Sequence, residues 1–474
     1  MLLGQIGHEG HDHGPVSLTD VTDDWPTWRQ VVEVLTYQSG YNTSVVLAST
    51  TLLGIAAGIV GVFALLRKRS LMADALSHAT LPGIGLAFIA ATVLGIEGRS
   101  LPVLLMGAAA TGVAGVLCVQ WLLRHTRLKE DASIGLVLSI FFGAGTVLLS
   151  YIQTMGASNA GGIDAFIFGQ TAAMSASDAG LMGVIAVVSV LFAIFLYKEF
   201  ALVCFNDAFA KVDGWPVSWI DLAMMGLVVG VTVAGLQAVG LILVVAMLII
   251  PAVAARFWTE KLWQLLILAA IIGGLSGYLG SATSALLPRK PAGAVIVLVS
   301  GVLFALSMFL APRRGVLAAM LRRLRLQLDI ATDHMLETAY LTASNAPSGL
   351  DAAALKRFKK QRGWNTMLTL MVGIHAGRHG YGRLRAHAFT PTPRGLERGQ
   401  QVCRNHLLWE QYLISYADIA PNHLDWAVDQ VEHVLSPSLV AELEAALAGR
   451  GVDSFLRSDD GGMPQNSAVA GEPR

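Results

Sequence analysis

The sequence predicts an all-α polytopic membrane protein with about nine transmembrane helices, followed by a C-terminal cytoplasmic domain. The first observation is composition: 54% of the 474 residues are hydrophobic and 14% are charged, and the mean hydropathy of +0.58 is too high for a soluble globular protein. The second is the recurrence of apolar stretches of about 20 residues, the length that crosses a bilayer. The third is that these stretches stop near residue 312.

Nine apolar stretches are long enough to be membrane spans. They run approximately over residues 43–66, 75–96, 101–123, 132–152, 176–197, 219–239, 241–257, 262–282 and 292–311. Only the sequence Gly235–Gly240 separates the sixth stretch from the seventh, so eight spans with a re-entrant segment is the alternative.

The charged loops set the expected orientation. Basic residues follow the odd-numbered spans, beginning with Arg67-Lys68-Arg69 and ending with Arg313-Arg314, and such loops stay in the cytoplasm. The N-terminus is therefore expected outside and the C-terminus in the cytoplasm, with Arg289-Lys290 as a small exception. Residues 1–40 lack a basic start followed by an apolar run, so we expect a tail there rather than a signal peptide.

The chain is thus expected to have four parts. These are an external tail with histidines and an amphipathic segment at 1–40, a transmembrane domain at 41–312, a cytoplasmic domain at 313–455 and a disordered tail at 456–474. The third part is long enough for one small domain, and the last part has the polar, glycine-containing composition of disordered chain.

Cysteine usage and the lack of a nucleotide motif exclude several functions. Cys118, Cys204 and Cys403 are far apart and form no C-x-x-C pair, which argues against a disulfide framework, a zinc knuckle or a redox motif. No G-x-x-x-x-G-K-[ST] sequence occurs, so we expect no nucleotide to bind this chain. The formal net charge is zero and identifies no partner.

An ionisable pair marks the second span. Asp74 and His78 lie in the apolar sequence Leu71–Gly83, and a spacing of four residues places both side chains on one face of a helix. An Asp at the bilayer centre costs roughly 2.5–3.5 kcal/mol on insertion scales, so such groups usually face a cavity or an ion path. A carboxylate with an imidazole suits Mn, Fe or Zn. The alternative is that Asp74 caps a helix while His78 hydrogen-bonds a neighbouring helix.

Glycine and proline predict how the spans pack. Small residues at three- and four-residue spacing let helices approach closely in a bilayer. They occur at Gly54, Gly58, Gly61, Gly107, Gly112, Gly115, Gly226, Gly230, Gly273, Gly274, Gly277 and Gly280. Pro82 and Pro251 are expected to interrupt spans, and broken helices in transporters commonly line a cavity. Pro82 would put such an irregularity beside His78.

Four segments resemble the membrane permeases of ABC importers for manganese, zinc and iron. They are Arg69–Gly83, Phe166–Gln170, Asp207–Gly214 and Val239–Pro251. They occur in the family's order over about residues 40–312. The resemblance implies a permease subunit of a prokaryotic plasma membrane, not an enzyme, that works with a separate cytoplasmic ATPase subunit and an extracytoplasmic metal-binding protein. It also implies that Asp74 and His78 line the metal path and that the chain forms a homodimer.

The 207–214 loop lies between the fifth and sixth spans, on the predicted cytoplasmic side. Its mixed charge and its apolar Phe209 suit a short helix that rests in a groove of a soluble partner, and a solvated loop is the alternative. The resemblance implies that this loop docks on the ATPase and transmits its motion. The residues expected to do so are Asp207, Phe209, Ala210, Lys211 and Gly214.

A second metal signal lies near the N-terminus. The sequence from His8 to His13 holds three imidazoles and two carboxylates in six residues, a composition that binds divalent ions weakly. His8, His11 and His13 could raise the local metal concentration at the entrance. A flexible tail with no specific role is the alternative.

The cytoplasmic part is polarised in charge. Residues 356–404 carry eleven basic residues against a single acid, Glu397, whereas residues 405–450 carry seven acids against Arg450. A basic block followed by an acidic one suggests a polyanion-facing part and a cation-binding part.

The acidic part resembles the metal-binding helical domain of the iron- and manganese-dependent repressors of the diphtheria-toxin-repressor family. The matching segments are Arg404–Leu413 and Asp429–Ser436. The resemblance implies regulatory metal ligands, with helical spacing that places each group on one face. They are His406, Glu410, Asp429, Glu432 and His433, together with His334 and Glu337 on a helix over residues 329–343.

The basic part resembles the winged-helix domain of the same repressors. Leu350–Gln361 and Asn365–Gly377 match the helix-turn-helix, and Phe389–Gly395 matches the end of the wing. A helix that reads DNA needs polar side chains at its groove-facing positions, yet Asn365–Gly377 is rich in Met and Leu. The basic residues could instead bind phosphates or anionic lipid headgroups. Operator binding, metal sensing that inhibits or gates transport, and a vestigial structural role stay open.

The predicted function is a permease subunit of an ATP-driven importer for divalent Mn, Zn or Fe, with a cytoplasmic metal-sensing domain. The alternative is a membrane-anchored, metal-responsive DNA-binding regulator whose spans mainly tether it. The number of spans and the Asp74–His78 pair favour the importer, because an anchor needs only one or two helices. A proton-coupled carrier is disfavoured because a proton relay needs no docking loop.

Overall fold

Helices account for nearly all regular structure in the part of the chain that the computed structural model describes. This part comprises residues 27–67, 70–94, 100–154, 174–287, 291–343, 349–385, 388–416 and 437–448. It falls into two units that divide between Ala318 and Ala319.

The described residues of the first unit form helices and no strands. In chain order the helices are α1 (Trp28–Leu35), α2 (Tyr41–Leu66), α3 (Ser70–Ala79), α4 (Leu81–Val93), α5 (Leu101–His125), α6 (Glu130–Thr154), α7 (Ala176–Phe195), α8 (Tyr197–Phe205), α9 (Asp207–Val212), α10 (Val217–Val239), α11 (Leu241–Arg256), α12 (Leu262–Leu286) and α13 (Ala292–Leu310). All nine predicted stretches are helical. Eight of them are long and apolar enough to cross a membrane, α3 and α4 together making one of the eight. The prediction of an all-α polytopic protein is confirmed.

The seventh predicted span is shorter than the others. α11 has 16 residues, or about 24 Å of helix, whereas a bilayer core is roughly 30 Å thick. Gly240 separates α11 from α10 with a φ of 85°, a conformation that glycine adopts without steric cost. The predicted division of 219–257 is therefore confirmed, and in the described residues α11 is an apolar helix shorter than the eight full-length candidates. Pro251 lies inside α11 and does not interrupt it, contrary to the prediction.

α2 is the central helix of the first unit. It packs against α7, α10, α11 and α12, and most of its residues from Val46 to Ala64 are buried. A Cβ atom on Gly58 would lie 2.2 Å from the carbonyl oxygen of Ala269, and one on Gly61 would lie 1.9 Å from that of Leu248. These glycines therefore bring backbones into direct contact, as predicted from their spacing.

The second unit combines helices with one β-hairpin. Its elements are α14 (Val316–Ala343, which begins in the first unit), α15 (Ala352–Gln361), α16 (Thr366–Arg378), β1 (Gly382–Arg385), β2 (Ala388–Pro391), α17 (Pro393–Tyr416) and α18 (Pro437–Ala448). The strands pair antiparallel, with Gly382 opposite Pro391, and Leu350 bridges to Phe389. The core includes Met335, Leu336, Leu355, Phe358, Val372 and Phe389.

Local caps explain where α15 and α16 begin. The Asp351 carboxylate accepts the Ala354 N–H at 2.6 Å, and the Asn365 side chain accepts the Leu368 N–H at 2.8 Å. Each bond satisfies one of the N–H groups that a helix start leaves without a partner. Two capped helices followed by a hairpin reproduce the winged-helix arrangement predicted for this part of the chain.

Candidate metal pathway and metal-sensing cluster

The second span is broken at Thr80, between α3 and α4. Thr80 is buried, and its N–H and its hydroxyl both donate to the Ser77 carbonyl, at 3.3 and 2.5 Å. Pro82 has no N–H to give to the His78 carbonyl four residues earlier, so the regular ladder cannot continue. The irregularity predicted beside His78 is therefore confirmed.

Asp74 and His78 lie one turn apart on α3. Nε2 of His78 is 3.6 Å from Oδ1 of Asp74, and the two side chains are 21% and 47% exposed, respectively, in the single chain. Phe142 of α6 packs edge-on against the imidazole, with ring centroids 5.0 Å apart. The imidazole is thus held by packing on one side, while the carboxylate has an accessible side.

The hydrogen bonding of this pair does not match the alternative of a cap and an interhelical bond. Nδ1 of His78 is buried and has no hydrogen-bond partner among the described residues. Asp74 lies beyond the first turn of α3, so it does not cap that helix. One carboxylate and one imidazole therefore offer lone pairs here. In the described ranges no group of three or more His, Cys, Asp or Glu is arranged to hold a metal ion.

α9 is the short helix predicted for the loop between the fifth and sixth spans. Asn206 caps it by accepting the Phe209 N–H at 2.9 Å, and Gly214 follows it with a φ of 84°. Phe209 is 55% exposed, whereas Ala210 is fully buried. The helix is therefore fixed to the unit through one face and presents an aromatic ring on the other, and the solvated-loop alternative is not observed.

A cleft of about 680 Å³ opens beside α9. Its lining includes Arg124, Lys211, Trp215 and Trp219, and Lys211 also pairs with Asp207 at 3.5 Å. Cationic and aromatic groups thus converge next to the exposed Phe209 helix. Sequence reasoning missed the two tryptophans, although their position just after the 207–214 motif was a usable signal.

Two predicted histidine ligands of the second unit lie beside the carboxylate of a third, Glu337. Oε2 of Glu337 lies 3.9 Å from Nδ1 of His334, and Oε1 lies 3.7 Å from Nδ1 of His406. α14 supplies the first two residues and α17 the third. The side chains of His334 and Glu337 are largely buried. Mixed nitrogen and oxygen donors of this kind fit a divalent transition metal, although the three do not converge on one point.

Two arginines of the basic block contact residues of this cluster or its neighbours. Arg398 donates two hydrogen bonds to Asp333, at 3.0 and 2.7 Å; this hydrogen bonding raises the pKa of Arg398, while desolvation opposes the shift. Arg362 lies 3.4 Å from Nδ1 of His334. Arg398 thus has a partner within the fold, whereas Arg362 is exposed, and the polyanion-facing role of the basic part stays a prediction.

Several predicted residues lie outside the described part of the chain. They are His8, His11 and His13, the segment Phe166–Gln170, and the regulatory ligands Asp429, Glu432 and His433. Glu410 belongs to α17, and its side chain is likewise not among those described. The sites predicted from these residues stay predictions.

The exposed face of α16 is apolar. Met367, Leu370, Met371 and Ile374 are 66%, 57%, 42% and 52% exposed, and their spacing puts them in one stripe along the helix. Reading base edges requires hydrogen-bonding side chains on that face. The chemistry of α16 therefore does not support sequence-specific DNA recognition.

Comparison with known proteins identifies the first unit. Residues 40–311, more than half of the chain, match the family described as the ABC 3 transport family. The chain belongs to the ABC 3 transport family. Membership makes it a multi-pass membrane permease subunit rather than an enzyme, and it implies an ATPase and a substrate-binding protein as partners.

Relatives and a solved structure share most of the ABC 3 region. The manganese transport system membrane protein MntC of Bacillus subtilis is 38% identical over 379 residues, covering 80% of this chain and 86% of that protein. The zinc transport system membrane protein TroC of Treponema pallidum is 40% identical over 61% of this chain and 96% of that protein. PsaBC from Streptococcus pneumoniae, solved in complex with Fab, is 29% identical with a TM-score of 0.52, over 61% of this chain and 98% of that chain.

The second unit has a match of its own. Residues 392–454 match the family described as iron dependent repressor, metal binding and dimerisation domain, which confirms the predicted resemblance of the acidic part. The alignment with the Bacillus subtilis ABC 3 relative is 379 residues long, so it extends past residue 311 even when counted from residue 1. That relative therefore shares part of the second unit as well.

Proposed function

We propose that this ABC 3 chain is the permease of an ATP-driven importer that moves divalent Mn, Zn or Fe inward, with Asp74 and His78 as transient ligands on the path. The observation that carries the proposal is the carboxylate and imidazole 3.6 Å apart in a broken span, with Nδ1 of His78 buried and without a partner among the described residues. A central Asp costs roughly 2.5–3.5 kcal/mol on insertion scales. A cationic cargo offsets that cost.

The donor chemistry and the names of the relatives support the same class of metal. One oxygen and one nitrogen donor, with no thiolate, suit Mn, Fe and Zn and disfavour Cu(I). The two relatives described above are named as manganese and zinc transport proteins. We extend to this chain the class of divalent transition metals.

A second copy of the chain supplies further donors in this proposal. A tetrahedral zinc site takes four ligands and manganese commonly takes six, so one Asp and one His are too few. Two Asp74 and two His78 side chains would offer two oxygens and two nitrogens, with water completing the shell. The 47% exposure of Asp74 in the single chain supports this homodimer because the carboxylate is open to a partner.

In this proposal α9 couples the chain to ATP hydrolysis on the ATPase subunit. Phe209 and Val212 are 55% and 89% exposed, while Ala210 is buried and fixes the helix. Such a short helix suits docking into a groove of the ATPase subunit, with Asp207, Lys211 and Gly214 completing the contact. This docking places α9 and the basic loops in the cytoplasm and the N-terminus outside, where the N-terminal histidines would attract metal.

The second unit is proposed to sense cytoplasmic metal and to inhibit or gate transport when the metal concentration rises. The arrangement of Glu337 between His334 and His406 supports this role, and Glu410, Asp429, Glu432 and His433 are proposed to complete the site. The apolar face of α16 disfavours the alternative of a DNA-binding regulator.

Metal uptake into vesicles containing the chain, its ATPase and its binding protein tests the pathway. His78→Ala and Asp74→Asn are expected to lower uptake at least about tenfold, since loss of even an outer-shell metal contact commonly costs about 10–100-fold. Leu71→Ala is the matched control, because Leu71 is on the same helix and 58% exposed. Equal uptake by wild type and His78→Ala would remove the pathway role.

A truncation after Arg314 tests the sensor. Transport by the truncated chain is expected to continue without responding to metal loaded inside the vesicles. An unchanged response in the truncated chain would remove the sensor role.

A further inference from the structure

The first turns of α14 form an amphipathic helix directly after the last membrane span. Five exposed apolar side chains fall within a sector of about 140° when successive residues are turned by about 100°. They are Val316, Leu317, Met320, Leu321 and Leu324, each between 42% and 58% exposed. Arg322, Arg323 and Arg325, also exposed, occupy the remaining arc, into which the next residue, Leu326 (49% exposed), also falls.

A tight turn keeps this segment close to the end of the span. α13 ends at Leu310, and the Gly315 N–H donates to the Ala311 carbonyl at 2.9 Å. A Cβ atom on Gly315 would lie 2.3 Å from that oxygen, so the turn requires glycine. Val316 therefore begins α14 shortly after α13 ends.

An ion pair joins this turn to the loop between α11 and α12. Nη2 of Arg314 binds Oε1 of Glu260, in the loop between α11 and α12. Trp258 and Trp263, on either side of Glu260, are 38% and 54% exposed. Tryptophan at the ends of spans sits at the level of the lipid headgroups. The turn is thus joined to a loop whose tryptophans suit the headgroup depth at which interfacial helices lie.

We propose that residues 316–325 lie in the plane of the cytoplasmic leaflet, with the apolar sector among acyl chains and Arg323 and Arg325 bound to anionic lipid headgroups. Charge favours lipid over a protein groove, because residues 313–328 contain arginines and no Asp or Glu. Each basic residue near an anionic surface adds roughly fivefold to affinity. The same helix carries His334 and Glu337 further along the chain.

Single fluorescent labels in the full-length protein test the apolar sector. Cys118, Cys204 and Cys403 are replaced by Ala, and a cysteine for an environment-sensitive label is introduced by Leu321→Cys or, as the matched control in the opposite sector, by Arg322→Cys. In nanodiscs of equal phosphatidylcholine and phosphatidylglycerol, brominated acyl chains should quench the label at 321 severalfold more than the label at 322. Aqueous iodide should show the reverse order. Equal quenching of both labels by iodide would overturn the proposal.

Two further experiments test the role of lipid charge and the possibility of contact between two chains. Acyl-chain quenching at 321 should fall in pure phosphatidylcholine, and Arg323→Gln with Arg325→Gln should cause the same fall in the mixed bilayer. Quenching that is independent of both changes would refute binding to anionic headgroups. Efficient disulfide cross-linking of two Leu321→Cys chains without acyl-chain quenching would assign the face to a second copy and would also overturn the proposal.

Discussion

Gly54 and Gly273 lie opposite each other where α2 crosses α12, so close that a Cβ atom on either would be 2.1 Å from the carbonyl oxygen of the other. The same interface contains a hydrogen bond of 2.8 Å from the Ser281 hydroxyl to Thr50. In a bilayer, where lipid offers no hydrophobic drive for helices to associate, such backbone contact and polar pairing hold spans together. The central helix of the permease unit is therefore held by backbone contact at glycines, which have no side chain to keep the two helices apart.

Gly54→Ala is expected to destabilise the transmembrane unit by about 2 kcal/mol or more, because overpacking forces the two backbones apart. Thermal unfolding of the purified protein in detergent measures the change. Gly226→Ala is the matched control, since a Cβ on Gly226 has nothing within 4 Å. An equal loss of stability in both variants would show that close packing is not the cause.

His78→Asp is expected to raise the ratio of Mn to Zn uptake, because replacing the imidazole by a second carboxylate converts a mixed donor set into an oxygen set. Competitive uptake of the two ions in the reconstituted transporter measures the ratio. Leu71→Asp adds a carboxylate to the same helix without removing the imidazole and serves as the control. A ratio that stays constant while uptake persists would contradict the assignment of His78 as a ligand.

Phe209→Ala is expected to weaken assembly with the ATPase about thirtyfold, which corresponds to the loss of roughly 2 kcal/mol for a truncated anchor residue. Titration of purified ATPase onto the permease measures the affinity. Leu128→Ala is the control, because Leu128 is 43% exposed and lies in another loop predicted on the same side of the membrane. Equal affinities for the two variants would remove α9 as the docking element.

Glu337→Gln is expected to weaken metal binding by the second unit at least about tenfold, because the amide cannot supply the anionic oxygens that lie between His334 and His406. Calorimetric titration of Mn²⁺ into the full chain gives the affinity of the tighter site. Glu397→Gln, which neutralises the acid of the basic block, is the control. Unchanged binding in Glu337→Gln would place the regulatory site elsewhere.

Arg398→Met is expected to destabilise the second unit by about 2 kcal/mol, since Asp333 loses a charge-assisted, two-point hydrogen bond. The pKa of Arg398 is raised in the fold, so the pair contributes fully below the arginine's unfolded pKa and is lost only above it. Protonation of Arg398 therefore adds no pH dependence near neutrality. Proteolysis of the second unit in the full chain, compared with exposed Arg383→Met, measures the effect, and equal susceptibility would contradict it.

Most of the transmembrane architecture could be predicted because hydrocarbon imposes one rule, a continuous apolar helix of fixed length. One helix boundary lies at Gly240, where glycine adopts a positive φ. Another lies beside Pro82, which lacks the N–H that a continuous helix needs. Pro251 did not behave as predicted, because a proline can be accommodated in a helix packed among others. The spacing of Gly226 and Gly54 looks alike in sequence, yet only Gly54 meets another backbone, because the identity of the facing helix is not encoded locally.

The candidate site was predictable where both donors share one helix and less so where helices must meet. The spacing of Asp74 and His78 gives their proximity directly. The approach of Glu337 to His406 depends on α14 crossing α17, so it could be expected only through the family resemblance. The contacts of Arg362 with His334 and of Arg398 with Asp333 were missed because they arise from tertiary packing rather than from any sequence period.

The exposed carboxylate of Asp74 bears on how long a captured ion stays in the proposed pathway. Conduction requires a site that is attractive enough to enter and loose enough to leave. In the proposed homodimer the protein supplies two Asp74 and two His78 donors, and water fills the remaining positions. Exchange of that water gives the ion a route off the site, so the same side chains that select the metal also set its rate of release.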